Sequence, residues 1–134
     1  MPTGTHVVVW IDSSEARIVT VDPRATVVEV EHSQNAIRHL RSKAGNREGY
    51  RATADHVFFQ RVANDLATAK SFMIVGPANA KTELVKHIHR FEPHLFARLS
   101  AVESADRMTD AQLEALARDC FVRGDQIAPG SVSI

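Results

Sequence analysis

The sequence predicts an α/β domain built on a mixed five-stranded sheet, and three observations predict it. Three short β-branched runs lie close together near the start: His6-Val-Val-Val-Trp-Ile-Asp12, Ala16-Arg-Ile-Val-Thr-Val21 and Thr26-Val-Val-Glu-Val-Glu31. Two later apolar runs, Phe72-Met-Ile-Val75 and Leu99-Ser-Ala-Val-Glu103, alternate with stretches of helical period instead. Finally, 134 residues with 44% hydrophobic and 24% charged side chains have the size and composition of one globular domain.

The first run is β-branched and aromatic and reads as a buried central strand, with Trp10 in the core. Asp12-Ser-Ser-Glu15 supplies turn formers, so the second run closes a hairpin. Asp22-Pro23-Arg24 makes the next turn, and the third run alternates apolar with acidic residues as a half-exposed strand. A helix is expected from Thr53 or Asp55 to about Ala69, striped by Val57, Phe58, Val62 and Leu66. The fourth strand stops at Gly76-Pro77. Asn79 is placed to cap a helix running to about Phe91, with Leu84, Val85 and Ile88 inward. After the fifth strand, Thr109-Asp-Ala-Gln112 has capping-box spacing and opens a last helix through Phe121. The domain is expected over 1–122, with a tail over 123–134.

A three-stranded antiparallel meander followed by two right-handed crossovers gives the sheet order 3-2-1-4-5. That is the order of ribonuclease-H-like folds. It sets the first and fourth strands side by side and parallel, so Asp12 and Gly76 meet at their carboxyl ends. Open sheets take ligands in that kind of crevice.

The stretch Arg38-His-Leu-Arg-Ser-Lys-Ala-Gly-Asn-Arg-Glu-Gly-Tyr-Arg51 departs from the rest. It carries five Arg/Lys against one acid in a chain of zero formal net charge, and it holds the only tyrosine. Charge repulsion and two glycines argue for an inserted loop over 38–52 rather than a packed element. Arg38, Arg41, Lys43, Arg47 and Arg51 are candidates for phosphate contacts. Gly45 and Gly49 would admit close backbone approach, and Tyr50 could stack on a base. A merely solvated basic connection is the plainer reading, as is Tyr50 folded back on the core edge.

The turn Gly76-Pro77-Ala-Asn79-Ala-Lys81 leads into a helix N-terminus, where free amides and the helix dipole favour an anion. Its spacing is not that of a nucleotide-binding P-loop. Asp12, Glu15, Glu103 and Asp106 near strand ends are candidates for a metal-dependent nuclease, although an aspartate at a turn often bonds its own backbone. His87 and His89, two apart, point to different helix faces, and no Cys/His pair has zinc spacing. No metal and no cofactor are expected. Cys120, the single cysteine, falls in an apolar helical stretch and reads as an inert thiol of a reducing cytoplasm. The N-terminus does not have the pattern of a signal peptide, and no apolar run is long enough to span a membrane.

Val7-Val-Val-Trp-Ile-Asp-Ser-Ser-Glu-Ala-Arg-Ile-Val19 resembles the opening hairpin of the central domain of archaeal and eukaryotic class 1 release factors and of Pelota. Phe72-Met-Ile-Val-Gly-Pro-Ala-Asn-Ala-Lys-Thr-Glu-Leu-Val85 resembles that domain's strand, turn and helix. The whole is also similar to small bacterial single-domain proteins labelled translational machinery proteins. The resemblance covers roughly residues 6 to 121. It implies a ribonuclease-H-like fold acting at the ribosome. In release factors the loop before the first helix carries Gly-Gly-Gln, which promotes peptidyl-tRNA hydrolysis. The corresponding loop here, Ser42–Ala52, has no such tripeptide, and the nearest glutamines are Gln34 and Gln60. Pelota is similar in lacking it. The resemblance therefore implies a non-catalytic module that binds the ribosome or structured RNA through the loop. A nuclease or peptidyl-tRNA hydrolase, and a protein-interaction or homodimer module, are the other two readings.

Overall fold

The computed structural model describes residues 5–22, 25–33 and 47–124, apart from the side chains of 47–54 and 121–124. Its elements run β1 (Thr5–Ile11), β2 (Glu15–Val21), β3 (Thr26–His32), α1 (Arg47–Asp65), β4 (Ala69–Gly76), α2 (Ala80–Phe91), α3 (Pro93–Phe96), β5 (Leu99–Ser104) and α4 (Asp110–Gly124). The sheet order is β3-β2-β1-β4-β5, as predicted. β1 pairs antiparallel with β2 and parallel with β4, and β4 pairs parallel with β5.

Every residue of β1 from His6 to Ile11 is buried. The period of two divides those side chains between two cores. Val7, Val9 and Ile11 join Ala16, Ile18, Phe72 and Ile74 under α1, α2 and α3, where Phe58, Val62, Leu66, Leu84 and Ile88 complete the layer. Val8 and Trp10 join Val19, Val21, Met73 and Val75 under α4, which contributes Leu113 and Ala117. Each such aliphatic side chain contributes about 1.5–3 kcal/mol when fully buried. The two-sided burial of β1 therefore outweighs any single polar contact in the fold.

Trp10 is in the core, as expected, and donates from Nε1 to the Asp106 carbonyl at 3.1 Å. The Arg17 and Arg107 guanidinium carbons lie 4.8 and 5.4 Å from its ring centre. Arg17 is itself buried in β2. It donates to the Met108 carbonyl at 2.6 Å and to the Asp110 carboxylate at 2.8 Å, so it ties the start of α4 to the sheet. Asp110 is 59% exposed, which leaves that ion pair screened. The carbonyl bond and the stacking on Trp10 are the firmer links. The capping box forms as predicted: Thr109 N–H donates to Gln112 Oε1, and Gln112 N–H donates to Thr109 Oγ1.

The structure corrects three boundaries. First, α1 begins at Arg47, so the last residues of the predicted loop, Arg47 to Ala52, are helical. Arginine, glutamate and alanine are good helix formers, and Gly49 costs only about 1 kcal/mol. A helix already anchored by Phe58, Val62 and Leu66 propagates back through them, with acidic Glu48 suited to its first turn. Second, α1 stops at Asp65 rather than near Ala69, because Ala69 already belongs to β4. Third, α4 continues through Gly124, past the expected helix end at Phe121. The short helix α3, opened by Pro93, had no counterpart in the sequence reading. Residues 34–46 and 125–134, which hold Arg38, Arg41, Lys43, Gly45 and most of the tail, lie outside the described residues.

Gly76 ends β4 with its Cα facing the backbone of Ile11 at the end of β1. A Cβ at this position would stand 2.2 Å from the Ile11 carbonyl oxygen. No rotamer change relieves a clash between Cβ and backbone. Gly76→Ala is expected to destabilise the fold by about 2–4 kcal/mol, the upper range of overpacking costs. Chemical denaturation followed by Trp10 fluorescence measures this. A change below about 0.5 kcal/mol, the size of an ordinary surface substitution, would show that the strand pair is not held this tightly.

Candidate functional site

A crevice of about 550 Å³ opens at the carboxyl ends of β1 and β4, where the connections diverge. Asp12 and Ser13 line it from the hairpin turn. Pro77, Ala78, Asn79, Ala80 and Glu83 line it from the turn into α2, and Asp55, Phe58 and Phe59 from α1. The sequence reading placed Asp12 and Gly76 at this point, and the topology puts them there.

Asp12 does what a turn aspartate does. Its Oδ1 accepts from Ser14 N–H at 2.8 Å, Glu15 N–H at 2.9 Å and the Ser14 hydroxyl at 3.0 Å. Its Oδ2 lies 3.8 Å from Arg107, which also pairs with Glu15 at 3.1 Å. Asp106 meets Trp10 through its backbone carbonyl, and Glu103 lines a different pocket. Among the described residues, no three His, Cys, Asp or Glu side chains are placed to hold a metal together. The four carboxylates considered for a nuclease are thus not gathered into one site.

The turn before α2 is also more occupied than its sequence implies. Asn79 sits at the N-cap position but makes no side-chain cap bond, and its backbone is already helical. Lys81 Nζ donates to the Ala78 carbonyl at 2.6 Å, back onto the turn itself. Three carboxylates, Asp12, Asp55 and Glu83, line the crevice around it. Coulomb repulsion from these groups works against the helix dipole for any incoming anion.

The basic stretch has a different setting. α1 leads from it toward the start of β4, so its first turns stand at the carboxyl end of the sheet. Along the helix axis, Arg51 is about 6 Å and Arg47 about 12 Å beyond Asp55. Arg47, Gly49, Tyr50 and Arg51 therefore fall on the helix that walls the crevice, beyond its acidic lining.

Sequence reasoning passed over a network between α1 and α2. His87, buried on α2, donates from Nε2 to Gln60 Oε1 at 2.9 Å, and Gln60 donates on to Glu92 at 2.9 Å and Asn64 at 3.1 Å. The His56 and Phe91 rings lie 4.9 and 4.8 Å from the His87 ring. His89 faces elsewhere, as its spacing predicted, and its ring meets Phe96 edge-on at 4.7 Å. Burial, then the neighbouring His56, lowers the His87 pKa below its ordinary value, while Glu92 pulls weakly the other way. At the far end of α1, Asp65 is pushed up to about 7 by burial, by its hydrogen bond with Glu31 and by the charges of Glu31 and Glu29. The signal available in sequence was His87 at an inward helical position. Nothing marked Asp65, because its partners lie on β3.

Solved structures share this fold, among them the three that follow. Archaeoglobus fulgidus Pelota superposes with a TM-score of 0.61 at 14% identity, covering 92% of this chain and 33% of that one. The archaeal translation termination factor aRF1 gives 0.51 at 13% identity, over 91% of this chain and 40% of that one. Saccharomyces cerevisiae Dom34, a translation termination-like factor involved in RNA quality control pathways and interacting with Hbs1, gives 0.50 at 11% identity, over 92% and 38%. No protein-family model matches the sequence, and no curated protein matches it. No helix among the described residues is long and apolar enough to cross a membrane.

The two shifted groups give opposite pH dependences. The folded protein resists protonating His87, so its contribution to stability is present above pH 6.5 and is lost as pH falls below it. It resists ionising Asp65, so that contribution is full below about pH 3.8, shrinks as pH rises above it and is gone above about 7. Melting temperatures from pH 5.5 to 8.5 are expected to show His87→Gln flattening the acid limb and Asp65→Asn gaining on wild type as pH rises to about 7, with a constant advantage of a few degrees above that. Parallel curves for all three proteins would contradict both assignments. The chain has the fold shared by Pelota and the archaeal termination factor and spans 33% and 40% of their lengths.

Proposed function

We propose that this domain is a non-catalytic module of translation, in ribosome rescue or termination-like steps, and that it contacts ribosomal or other structured RNA through its basic stretch. The likeness in fold to termination-like factors carries the reading. The charge pattern supports it, since Arg38, Arg41, Lys43, Arg47 and Arg51 gather five positive charges in a chain of zero formal net charge. The placement of α1 supports it too, because the stretch enters the helix at the carboxyl end of the sheet. The acid-lined crevice argues that phosphate is met by this stretch first, and by Gly76, Asn79 and Lys81 only at the margin. The missing Gly-Gly-Gln argues for binding rather than peptide release.

Co-sedimentation with ribosomes and free subunits across a salt series tests the proposal. Wild type is expected to bind, with affinity falling steeply as salt rises, by roughly 0.7–0.9 logarithmic units of affinity per unit of log salt for each phosphate neutralised. The triple variant Arg41→Gln, Lys43→Gln, Arg47→Gln is expected to lose binding at least tenfold while melting within about two degrees of wild type. A folded wild type that stays in the supernatant at low salt would overturn the translation reading. Binding unaffected by the triple variant would overturn the role of the stretch.

A further inference from the structure

β3 is an edge strand, and among the described residues no strand pairs with its outer side. Ser33 N–H donates to the Ser14 carbonyl, and Asp22 N–H donates to the Ala25 carbonyl. By the alternation of an antiparallel ladder, both bonds turn the backbone groups of Val27, Glu29 and Glu31 toward β2. The N–H and C=O groups of Val28 and Val30 are left pointing outward. Arg61 donates to the His32 carbonyl at 3.3 Å and Arg118 to the Thr26 hydroxyl at 3.2 Å, so side chains occupy the two ends of the edge. The stretch between them is open, with Val27 51% and Val30 44% exposed. Natural sheets blunt such edges with lysine, proline or a bulge. β3, Thr26-Val-Val-Glu-Val-Glu-His32, has none of these and keeps an unbroken register with β2.

The two faces of this edge differ in chemistry. Glu29 and Glu31 lie opposite Ile18 and Ala16, on the α1 face, where Asp65 hydrogen-bonds with Glu31. Burial and then these two glutamates push Asp65 up to about 7, which marks surplus negative charge there. Val28 and Val30 lie on the α4 face, Val28 against the second core. We propose that the β3 edge binds an extended basic segment of a protein partner as an added strand, with lysine or arginine opposite Glu29 and Glu31 and apolar residues opposite Val28 and Val30. Backbone bonds to Val28 and Val30 supply the pairing, and the alternation of the partner supplies specificity. Opposite charges facing across a strand pair attract, whereas like charges there are destabilising. A second copy of this chain is disfavoured on that ground. Antiparallel pairing of two β3 strands about Glu29 sets Glu29 against Glu29, and pairing about Val30 sets Glu29 against Glu31. This binding does not depend on the RNA contact proposed for the basic stretch, because an acidic edge repels phosphate.

Fluorescence anisotropy with a labelled peptide of about seven residues that alternates lysine with valine tests the site on the full chain. The peptide is expected to bind, and to bind more weakly as salt rises. A peptide of the same composition, with its lysines and valines in two blocks, is expected to bind at least about tenfold more weakly, because its side chains cannot meet both faces. On binding, the Val28 and Val30 amides are expected to gain protection from hydrogen exchange, while the Glu29 amide, already turned to β2, is unchanged. Glu29→Gln with Glu31→Gln is expected to weaken binding by about fivefold or more, through the loss of two cross-strand charge pairs. Val30→Pro removes only an outward N–H, a substitution confined to edge strands. It is expected to lower affinity at least about tenfold, with melting within a few degrees of wild type. Equal binding of the alternating and blocked peptides, or full affinity in both variants, would overturn the proposal. So would a dimer of the chain alone that Val30→Pro dissolves, since a second copy would then hold the edge. Tighter peptide binding by the variant Arg41→Gln, Lys43→Gln, Arg47→Gln would assign the edge to the chain's own basic stretch and overturn the partner.

Discussion

The parallel pairing of β1 with β4 is the constraint on which the rest of this structure depends. β1 is buried along its length, and its register with β4 runs from Thr5↔Ala69 to Trp10↔Val75. At the carboxyl end the two backbones approach so closely that only glycine fits at position 76. A parallel pair cannot be joined by a tight turn, so the chain must leave and return through a crossover. The crossover that contains α1 covers one face of the sheet, and α4 later closes the other. Both cores, and the crevice between the diverging connections, follow from that single pairing.

Polar chemistry is arranged around this frame according to how much water each group keeps. Arg17 is buried, yet it stacks on Trp10 and bonds the Met108 carbonyl, which fixes the start of α4 over the sheet. His87 is buried and held neutral by burial, with Gln60 relaying its hydrogen bond to Glu92. Asp65 is crowded by acids on the neighbouring edge strand and holds its proton toward neutrality. At the carboxyl end of the sheet, Asp12, Asp55 and Glu83 line the crevice, and their charge works against an incoming anion.

Much of the fold was legible in the chain. The β-branched runs at 6–12, 16–21 and 26–31 fall within two residues of β1, β2 and β3, because alternation and turn chemistry are local. The strand order followed from connection rules once five strands and their helices were placed. The capping box at Thr109 and Gln112 formed as its spacing implied, and the Asp12 turn closed on its own backbone. The misplaced start of α1 has an equally physical cause. Repulsion among Arg47, Arg51 and their neighbours is a local penalty, whereas a helix anchored downstream adds residues at small cost.

By itself, the sequence determined the sheet, its order, the two-sided burial of β1 and the concentration of positive charge before α1. These depend on period, turn residues and composition, which act over a few residues at a time. Tertiary structure alone decided which distant groups meet. It placed Asp65 against Glu31, His87 beside His56, Arg17 against Asp110, and Cys120 on Met73. Each of these contacts joins residues tens of positions apart. Their energies depend on burial and on distances of a few ångströms, and only the packed sheet and helices set those quantities.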